Sequence, residues 1–359
     1  MGNNRQRIRN TAGLLIIFFF LLTLLFTAGC SDKGHKDLTF EIWVLKIDAD
    51  GNEQWTAIID DDPNGTGERI IQTVDGGYAI GGTGSGPIPR IVTIDAKGEA
   101  ISYMTIGSAP DYGQSLAEVP GGGYVLAQHS GVLTQVSENG TVQWSTTIGS
   151  GGDNWPIWTV VGVPGGGYAA AGNNQSVGLD EDGTIRWETA FVPDRYATTI
   201  IAVPTRGVVT GGTCDAGVWV TMLDAEGDRL LDRTFSTESP ASLYIVRLSP
   251  DGTYDVIYGI TRPPKGNEPG GKMVTEITEV SLSADGKYIG ERPVQVTRCI
   301  VATDDGGYAY ATPSRITRRD HEGMTMWDVP FDIGDDIMVS SIIQTADGGF
   351  AISGELLDF

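Results

Sequence analysis

Residues Ile70–Gly82 read IIQTVDGGYAIGG, and Ile342–Gly354, near the other end of the chain, read IIQTADGGFAISG. Five looser copies lie between these two: VPGGGYVLAQ from Val119, VPGGGYAAAG from Val163, VPTRGVVTGG from Val203, SPDGTYDVIY from Ser249 and TDDGGYAYAT from Thr303. The copies start about 40 to 55 residues apart, which is the period of a repeat made of four short strands. The quoted stretch is therefore one copy of a repeated structural unit.

A second motif alternates with the first. Its first copy, Val44–Trp55, reads VLKIDADGNEQW: an alternating run, a turn with Asp and Gly, and a second run. Further copies begin at Ile91, Leu133, Ser176, Val220, Thr278 and Ile316. Glycine supplies the positive φ of a hairpin turn, and Asp or Asn stabilises that turn. In four copies a tryptophan follows the turn glycine by four residues: Trp55, Trp144, Trp187 and Trp327.

Each repeat thus predicts two hairpins, strands A and B around DGGY and strands C and D around the Asp-x-x-Gly turn. Seven hairpins of each kind predict an all-β fold, a seven-bladed β-propeller of four-stranded blades over residues 38–359. The chain begins with a C–D hairpin (Phe40–Ile59) and finishes with an A–B hairpin (Ser340–Gly354). We therefore expect these two hairpins to pair into one blade, which removes two exposed sheet edges.

The acids of the DGGY motif admit two interpretations. Asp75, Asp305 and Asp347 are either ligands or the capping residues of A–B turns. The motif lies between strands and tolerates Pro-Gly or Thr-Arg in place of Asp-Gly, which favours the turn.

The C–D motif resembles the tryptophan-docking motif of PQQ-like (quinoprotein-like) propellers. The matches are Asp48-Gly51-Trp55, Asp180-Gly183-Trp187 and, more loosely, Asp320-Gly323-Trp327. With the DGGY copies, they make the chain similar to exported DGGY-repeat and PQQ-like propellers. That resemblance implies a scaffold used by binding and assembly proteins as well as by enzymes. Quinoprotein dehydrogenases also carry a catalytic Asp, calcium ligands and often adjacent cysteines over the cofactor.

No cofactor is predicted, since the chain has no adjacent cysteines. Calcium stays an alternative, because DADGN at Asp48 resembles a calcium loop, although the distal Glu of such a loop is missing. Cys214 and Cys299 fall in different repeats, so we expect no disulfide between them.

The N-terminus predicts export. Arg5, Arg7 and Arg9 precede the apolar run Gly13–Ala28, which is short for a membrane span and typical of a signal peptide. Thr27-Ala28-Gly29-Cys30 resembles a lipobox, which implies cleavage before Cys30 and lipid attachment to it. We expect residues 1–30 to form a signal peptide and 31–37 a polar tether, with the propeller extracytoplasmic and anchored to the cell membrane as a lipoprotein. An uncleaved anchor helix is the alternative.

Charge and histidine content exclude several functions. The chain has 24 basic and 46 acidic residues, a net charge of −22, which disfavours nucleic acid and anionic lipid as ligands. Its three histidines form no pattern typical of a metal site or a Ser-His pair. Enzymatic function is therefore not expected.

The A–B and C–D turns share one face of the predicted propeller, and the D–A and B–C loops share the opposite face. The loops of that opposite face vary between repeats, and variable loops on a rigid scaffold usually carry function, so we expect binding there. These D–A loops carry acids and aromatic residues, so we predict an acidic, aromatic mouth that binds a cation, a sugar or a basic protein segment. The alternative, which the ease of Asp capping favours, is that each Asp satisfies its own loop. The candidate residues are Asp61, Asp62, Asp111, Tyr112, Asp153, Trp155, Trp158, Asp194, Tyr196, Asp335 and Asp336.

The leading functional hypothesis is non-catalytic binding at the cell surface, with a protein or a carbohydrate as ligand. One alternative is a quinoprotein-like or hydrolytic propeller enzyme, which a cluster of carboxylates at the channel mouth would favour. Another is a scaffold for envelope assembly, similar to lipoprotein propellers of outer-membrane insertion. Those propellers have eight blades, so a count of seven speaks against it.

Overall fold

The computed structural model describes residues 39–59, 65–107, 110–149, 156–204, 206–249, 252–264, 273–297, 299–334 and 336–358. The predicted signal peptide, Cys30 and the tether lie outside these ranges. The described ranges contain strands and turns and no helix. The described residues therefore include no helix that is long and apolar enough to cross a membrane.

Twenty-eight strands form seven four-stranded antiparallel sheets in the described part of the chain, which confirms the predicted seven-bladed propeller. We number the blades in chain order and letter their strands A to D outward from the centre. Blade 1 consists of β3 (Thr66–Gln72), β4 (Tyr78–Gly84), β5 (Ile88–Ile94) and β6 (Ala100–Thr105). Blade 2 consists of β7 (Gly113–Glu118), β8 (Tyr124–Gln128), β9 (Val132–Val136) and β10 (Val142–Thr147). Blade 3 consists of β11 (Ile157–Gly162), β12 (Tyr168–Gly172), β13 (Gln175–Leu179) and β14 (Ile185–Ala190).

The next three blades follow the same plan. Blade 4 consists of β15 (Tyr196–Val203), β16 (Gly207–Cys214), β17 (Gly217–Leu223) and β18 (Arg229–Ser236). Blade 5 consists of β19 (Ala241–Leu248), β20 (Tyr254–Arg262), β21 (Val274–Leu282) and β22 (Tyr288–Pro293). Blade 6 consists of β23 (Ile300–Ala302), β24 (Tyr308–Thr312), β25 (Arg315–Arg319) and β26 (Thr325–Pro330).

Blade 7 is built from both ends of the described chain. It consists of β27 (Ile337–Gln344), β28 (Phe350–Asp358), β1 (Thr39–Ile47) and β2 (Glu53–Ile59). β1 pairs with β28 in continuous antiparallel register, from Thr39 opposite Asp358 to Ile47 opposite Phe350. Around the centre, the A strands of neighbouring blades contact one another in an unbroken circle, with β27 beside β3. The A strands therefore border a central channel.

The DGGY aspartates serve their own turns. In blade 1, Asp75 Oδ1 accepts hydrogen bonds from Thr73 Oγ1 at 2.5 Å and from the Gly77 amide at 3.1 Å. The same two bonds recur at the other full copies of the motif, around Asp305 and Asp347. Because these carboxylate oxygens satisfy turn donors, the motif is part of the scaffold.

The tryptophans of the C–D motif lock neighbouring blades. Trp55 on β2 lies against the turn glycine of blade 1, Gly98, and its indole nitrogen donates to the Ala96 carbonyl at 3.0 Å. Gly98 has a φ of +88° and its missing side chain leaves room for the indole. The same contact joins blades 2 and 3, 3 and 4, and 6 and 7, through Trp144 on Gly183, Trp187 on Gly227 and Trp327 on Gly51.

Three blade interfaces depart from this pattern. Blade 4 places Leu231 at the tryptophan position, against Gly286 of blade 5. In blades 1 and 5 the equivalent residues are small, Ser102 and Gly290, and the residue two positions later contacts the next turn instead. That residue is Met104 on Gly140 in blade 1 and Arg292 on Gly323 in blade 5.

The aromatic residues of the DGGY hairpins fill the spaces between blades. Tyr78 is buried edge-on against Trp55, and Phe350 is buried edge-on against Trp327. Tyr168 is likewise buried beside Trp144. The repeated aromatic residue and the repeated tryptophan are therefore two halves of one interblade contact, which accounts for their co-occurrence along the chain.

Candidate binding face

The A strands carry a β-bulge at one repeated position. The extra residue lies ten positions before the motif residue that is aromatic in most copies, and such bulges occur in six blades; the corresponding residue of blade 6 lies outside the described residues. The extra residues are Glu68, Gln114, Trp158, Thr198, Tyr244 and Ser340. Bulges often re-aim side chains beside functional sites, and these lie in the half of each A strand that begins at the variable D–A loops. They form a ring of chemically different side chains at the channel mouth of that face.

Two carboxylates lie at this mouth, between blades 7 and 1. Glu68 is exposed, whereas Glu355 on β28 is 3% exposed. Glu355 accepts hydrogen bonds from the Gly67 amide at 3.1 Å and from Ser340 Oγ at 2.9 Å. Burial, reinforced by the charge of Glu68, raises the pKa of Glu355 to about 7. Glu355 therefore changes its protonation state near neutral pH, and Glu68 opposes its ionisation.

Arg69 follows Glu68 on β3 and acts on its carboxylate. The Arg69 guanidinium interacts favourably with the Glu68 carboxylate. Arg69 also acts on Cys299 of blade 6, whose thiol pKa burial raises to about 12. The raised pKa favours the protonated thiol of Cys299, and Cys214 and Cys299 are free cysteines in the described structure.

An aromatic cluster lies at the same face, on blades 2 and 3. The rings of Tyr112 and His129 are 6.2 Å apart, and those of His129 and Trp158 are 5.0 Å apart, both edge-on. Trp158 also donates from its indole nitrogen to Asn173 Oδ1 at 2.8 Å. Burial lowers the pKa of His129, against a smaller opposing effect of Asp111. A neutral imidazole between two half-buried aromatic rings gives a surface suited to cationic groups or sugar faces.

Asp111 satisfies its own loop. Its carboxylate accepts hydrogen bonds from the Tyr112 amide at 2.8 Å, the Ser130 amide at 3.0 Å and the Ser130 hydroxyl. It therefore ties the D–A loop of blade 2 to the B–C loop of the same blade. For this residue the capping interpretation holds, and Asp111 is a support for the aromatic cluster.

The other described candidates are spread around the ring. Asp194 is exposed with a φ of +70°, and the adjacent Arg195 pairs with Asp232 at 2.8 Å. Tyr196 is half-buried at the start of β15, and Asp336 is exposed before β27. Within the described chain, the structure joins only Tyr112 and Trp158 of the predicted aromatic candidates in one contact network.

Five predicted candidates lie outside the described residues: Asp61, Asp62, Asp153, Trp155 and Asp335. Among the described residues, no group of three or more His, Cys, Asp or Glu side chains could hold a metal ion. The calcium-like loop at Asp48 uses that carboxylate internally, since Asp48 Oδ1 accepts from the amides of Asp50 at 3.0 Å and Asn52 at 2.8 Å.

Sequence reasoning missed the residues that give this mouth its chemistry, Glu68, His129, Ser340 and Glu355. A signal was present for Glu68 and Ser340, because both occupy the same place in the repeat as Trp158. Glu355 had a weaker signal: an acid directly after the last motif, in a strand that is otherwise mostly apolar or small.

Comparisons with known proteins agree with the architecture. No family model matches the chain, and no curated protein matches it by sequence. Among solved structures, virginiamycin B lyase from Staphylococcus aureus is similar with a TM-score of 0.59 and 12% identity, covering 88% of this chain and 99% of that one. The Pan2 WD40 domain from Neurospora crassa has a TM-score of 0.57 and 10% identity, covering 81% of this chain and 89% of that one.

A third similar structure is the β-propeller domain of Cps50 (Swd1) from Myceliophteria thermophila. Its TM-score is 0.51 and its identity 14%, with 78% of this chain and 90% of that one covered. At such identities, these structures show that the fold is a β-propeller and do not show a function, which has to be inferred from the site.

Proposed function

We propose that this chain is a non-catalytic binding module, held at a membrane surface through lipid on Cys30, whose variable face binds a basic polypeptide segment. The observation that carries the proposal is the carboxylate pair of Glu68 and Glu355 at the channel mouth, whose charge Arg69 offsets in part. Glu355 is buried, its pKa is raised to about 7, and the charged group that acts on it is another carboxylate, Glu68. A cation at the mouth relieves that repulsion.

The aromatic cluster supplies the second part of a basic-segment site. Tyr112 and Trp158 are half-buried, so part of each ring is accessible to a ligand. Cationic side chains are attracted to such rings, with Trp the strongest partner. The net charge of −22 adds long-range attraction for a basic partner and speeds its approach at low salt.

The test is calorimetric titration of the full chain, purified in detergent, with a blocked peptide of alternating Lys and Gly. We expect binding that weakens with added salt and that falls severalfold in Glu68→Gln. The matched control is Glu188→Gln, an exposed acid on the outer strand of blade 3, which should leave the affinity unchanged. Equal binding by the wild type and Glu68→Gln would refute the mouth as the site.

A second candidate function rests on the same carboxylates. A group with a pKa of about 7 is poised for acid–base catalysis, and Glu68 is the exposed member of the pair. This favours a hydrolytic enzyme over a quinoprotein-like one. Turnover of a screened ester or glycoside that is lost in Glu68→Gln, without any peptide binding by the wild type, would establish it in place of the binding module.

A further inference from the structure

The residues directly after the bulge position form a second ring around the central channel. Each lies nine positions before the motif residue that is aromatic in most copies, so the seven share one level of the channel. Arg69 of blade 1 acts on the Cys299 thiol, two blades away, which agrees with this placement. The members of this Arg69 ring, in blade order, are Arg69, Ser115, Thr159, Thr199, Ile245, Cys299 and Ser341. The ring thus combines one cation with four hydroxyl groups and contains no acid.

The guanidinium of Arg69 has unused hydrogen-bond donors. Arg69 is half-buried and forms no hydrogen bond or ion pair with any described residue. Desolvation lowers the pKa of Arg69, and the neighbouring Cys299 and Glu68 oppose that effect. An arginine stays charged at neutral pH and carries five N–H donors, so this group can bind an acceptor that enters the channel.

Other sheltered arginines of the propeller have partners within the chain. Arg247 is 2% exposed and pairs with Asp255 at 3.0 Å. Arg195 is also buried and pairs with Asp232 at 2.8 Å. Arg69 therefore differs from them in lacking a carboxylate that its nitrogens contact directly.

Ser341, on the neighbouring blade 7, brings a second unused donor. It is 3% exposed, and its Oγ has no hydrogen-bond partner among the described residues. The equivalent hydroxyl, Ser115 Oγ, accepts from the Val160 amide at 3.4 Å across the interface with blade 3. Val160 directly follows Thr159 of the ring, so the same place in the repeat sets Ser341 beside Arg69.

We propose that the central channel binds a carboxylate group at Arg69, with Ser341 as a second donor. A guanidinium presents a planar fork that matches a carboxylate through two parallel N–H···O bonds. A singly charged carboxylate suits the site better than a phosphate, because the ring holds one cation and Glu68 is adjacent in the chain. The group comes either from a free small carboxylate or from the C-terminal carboxylate of a polypeptide.

This site goes beyond the basic-segment site and takes the opposite charge. Glu68 attracts a basic segment, whereas it repels a carboxylate and competes with it for Arg69. Glu68→Gln should therefore strengthen carboxylate binding while it weakens binding of the Lys-Gly peptide. These opposite signs make the failure of one proposal distinguishable from the failure of the other.

The experiment is calorimetric titration of the full chain in detergent, in a buffer free of carboxylate, phosphate and sulfate. The probes are acetate, N-acetyl-triglycine and N-acetyl-triglycine amide, the last of which lacks the carboxylate. We expect Arg69→Gln to weaken binding of the two carboxylates about tenfold and Ser341→Ala to weaken it about threefold. The matched control is Arg186→Gln, which removes an exposed arginine from the outer strand of blade 3 and should leave binding unchanged.

The outcomes separate the two sources of the carboxylate. Tighter binding of N-acetyl-triglycine than of acetate assigns the site to a polypeptide C-terminus, and equal or weaker binding assigns it to a small molecule. If Arg69→Gln does not fold, Arg69→Lys replaces it, because lysine keeps the charge without the fork and should bind more weakly than the wild type.

Five results would overturn the proposal. They are no binding of either carboxylate to the wild type, equal binding of the amide probe, equal affinities in Arg69→Gln and Arg186→Gln, unchanged binding in Ser341→Ala, and weaker carboxylate binding in Glu68→Gln. If neither variant of Arg69 folds, Ser341→Ala and Glu68→Gln still decide.

Discussion

Replacement of Glu355 by Gln should stabilise the propeller at alkaline pH and not at acidic pH. In the native state burial and the charge of Glu68 raise the pKa of Glu355 from 4.5 to about 7. A change of that size corresponds to about 3 kcal/mol at a pH above both values, since each tenfold step in proton affinity is worth about 1.4 kcal/mol.

The direction follows from which state holds the proton. The native pKa is the higher one, so the native state binds an extra proton between pH 4.5 and about 7, and stability falls as the pH rises through that range. Glutamine cannot ionise, and it keeps an oxygen for the Gly67 amide. We therefore expect Glu355→Gln to raise the free energy of unfolding by about 3 kcal/mol at pH 8 and to leave it unchanged below pH 4.5.

The assay is urea unfolding of the full chain, followed by tryptophan fluorescence at several pH values between 4.5 and 8. The control is Glu188→Gln, which removes an exposed carboxylate from an outer strand and should change stability little at any of these pH values. A variant at Glu355 that is less stable than the wild type at pH 8, or that keeps the full pH dependence of the wild type, would refute this reasoning.

Three further results are expected. Trp327→Ala should cost about 3 kcal/mol of stability in urea unfolding, because it removes the lock on Gly51 and the contact with Phe350; a loss no larger than that of an exposed-residue variant would contradict the docking role. Asp75→Ala should cost about 1 kcal/mol through the lost turn bonds and leave peptide affinity unchanged in calorimetry; a fall in affinity would make the motif a site. Deletion of Phe40–Ile59 should accelerate hydrogen exchange in Ile342–Gly354, where β1 pairs with β28, and unchanged exchange there would disprove that pairing.

The scaffold was predictable because each of its parts leaves a periodic mark. The DGGY turn needs Gly and an Asp acceptor, and the C–D turn needs a glycine that a tryptophan can cover. These requirements recur in blade after blade, so the repeat count gave the number of blades. The repeat array begins with a C–D hairpin and ends with an A–B hairpin, each of them half of a blade. This indicated that β1 pairs with the last strands.

The mouth was only partly predictable because its chemistry is not periodic. Glu68 and Trp158 occupy the same place in the repeat, but nothing in the sequence marks that place as a β-bulge. Asp111 could be either a ligand or a loop cap by its position, and the neighbouring amides use its carboxylate, as the favoured capping interpretation expects.

The central claim is that the variable face receives a basic polypeptide segment. Carbodiimide cross-linking of the full chain to a blocked lysine peptide, followed by mass spectrometry, tests it most directly, because the reagent joins lysine amines to the carboxylates they touch. We predict cross-links to Glu68 and to acids of the D–A loops such as Asp194 and Asp336. Cross-links confined to the opposite face, at acids such as Asp75 and Asp347, would contradict the account.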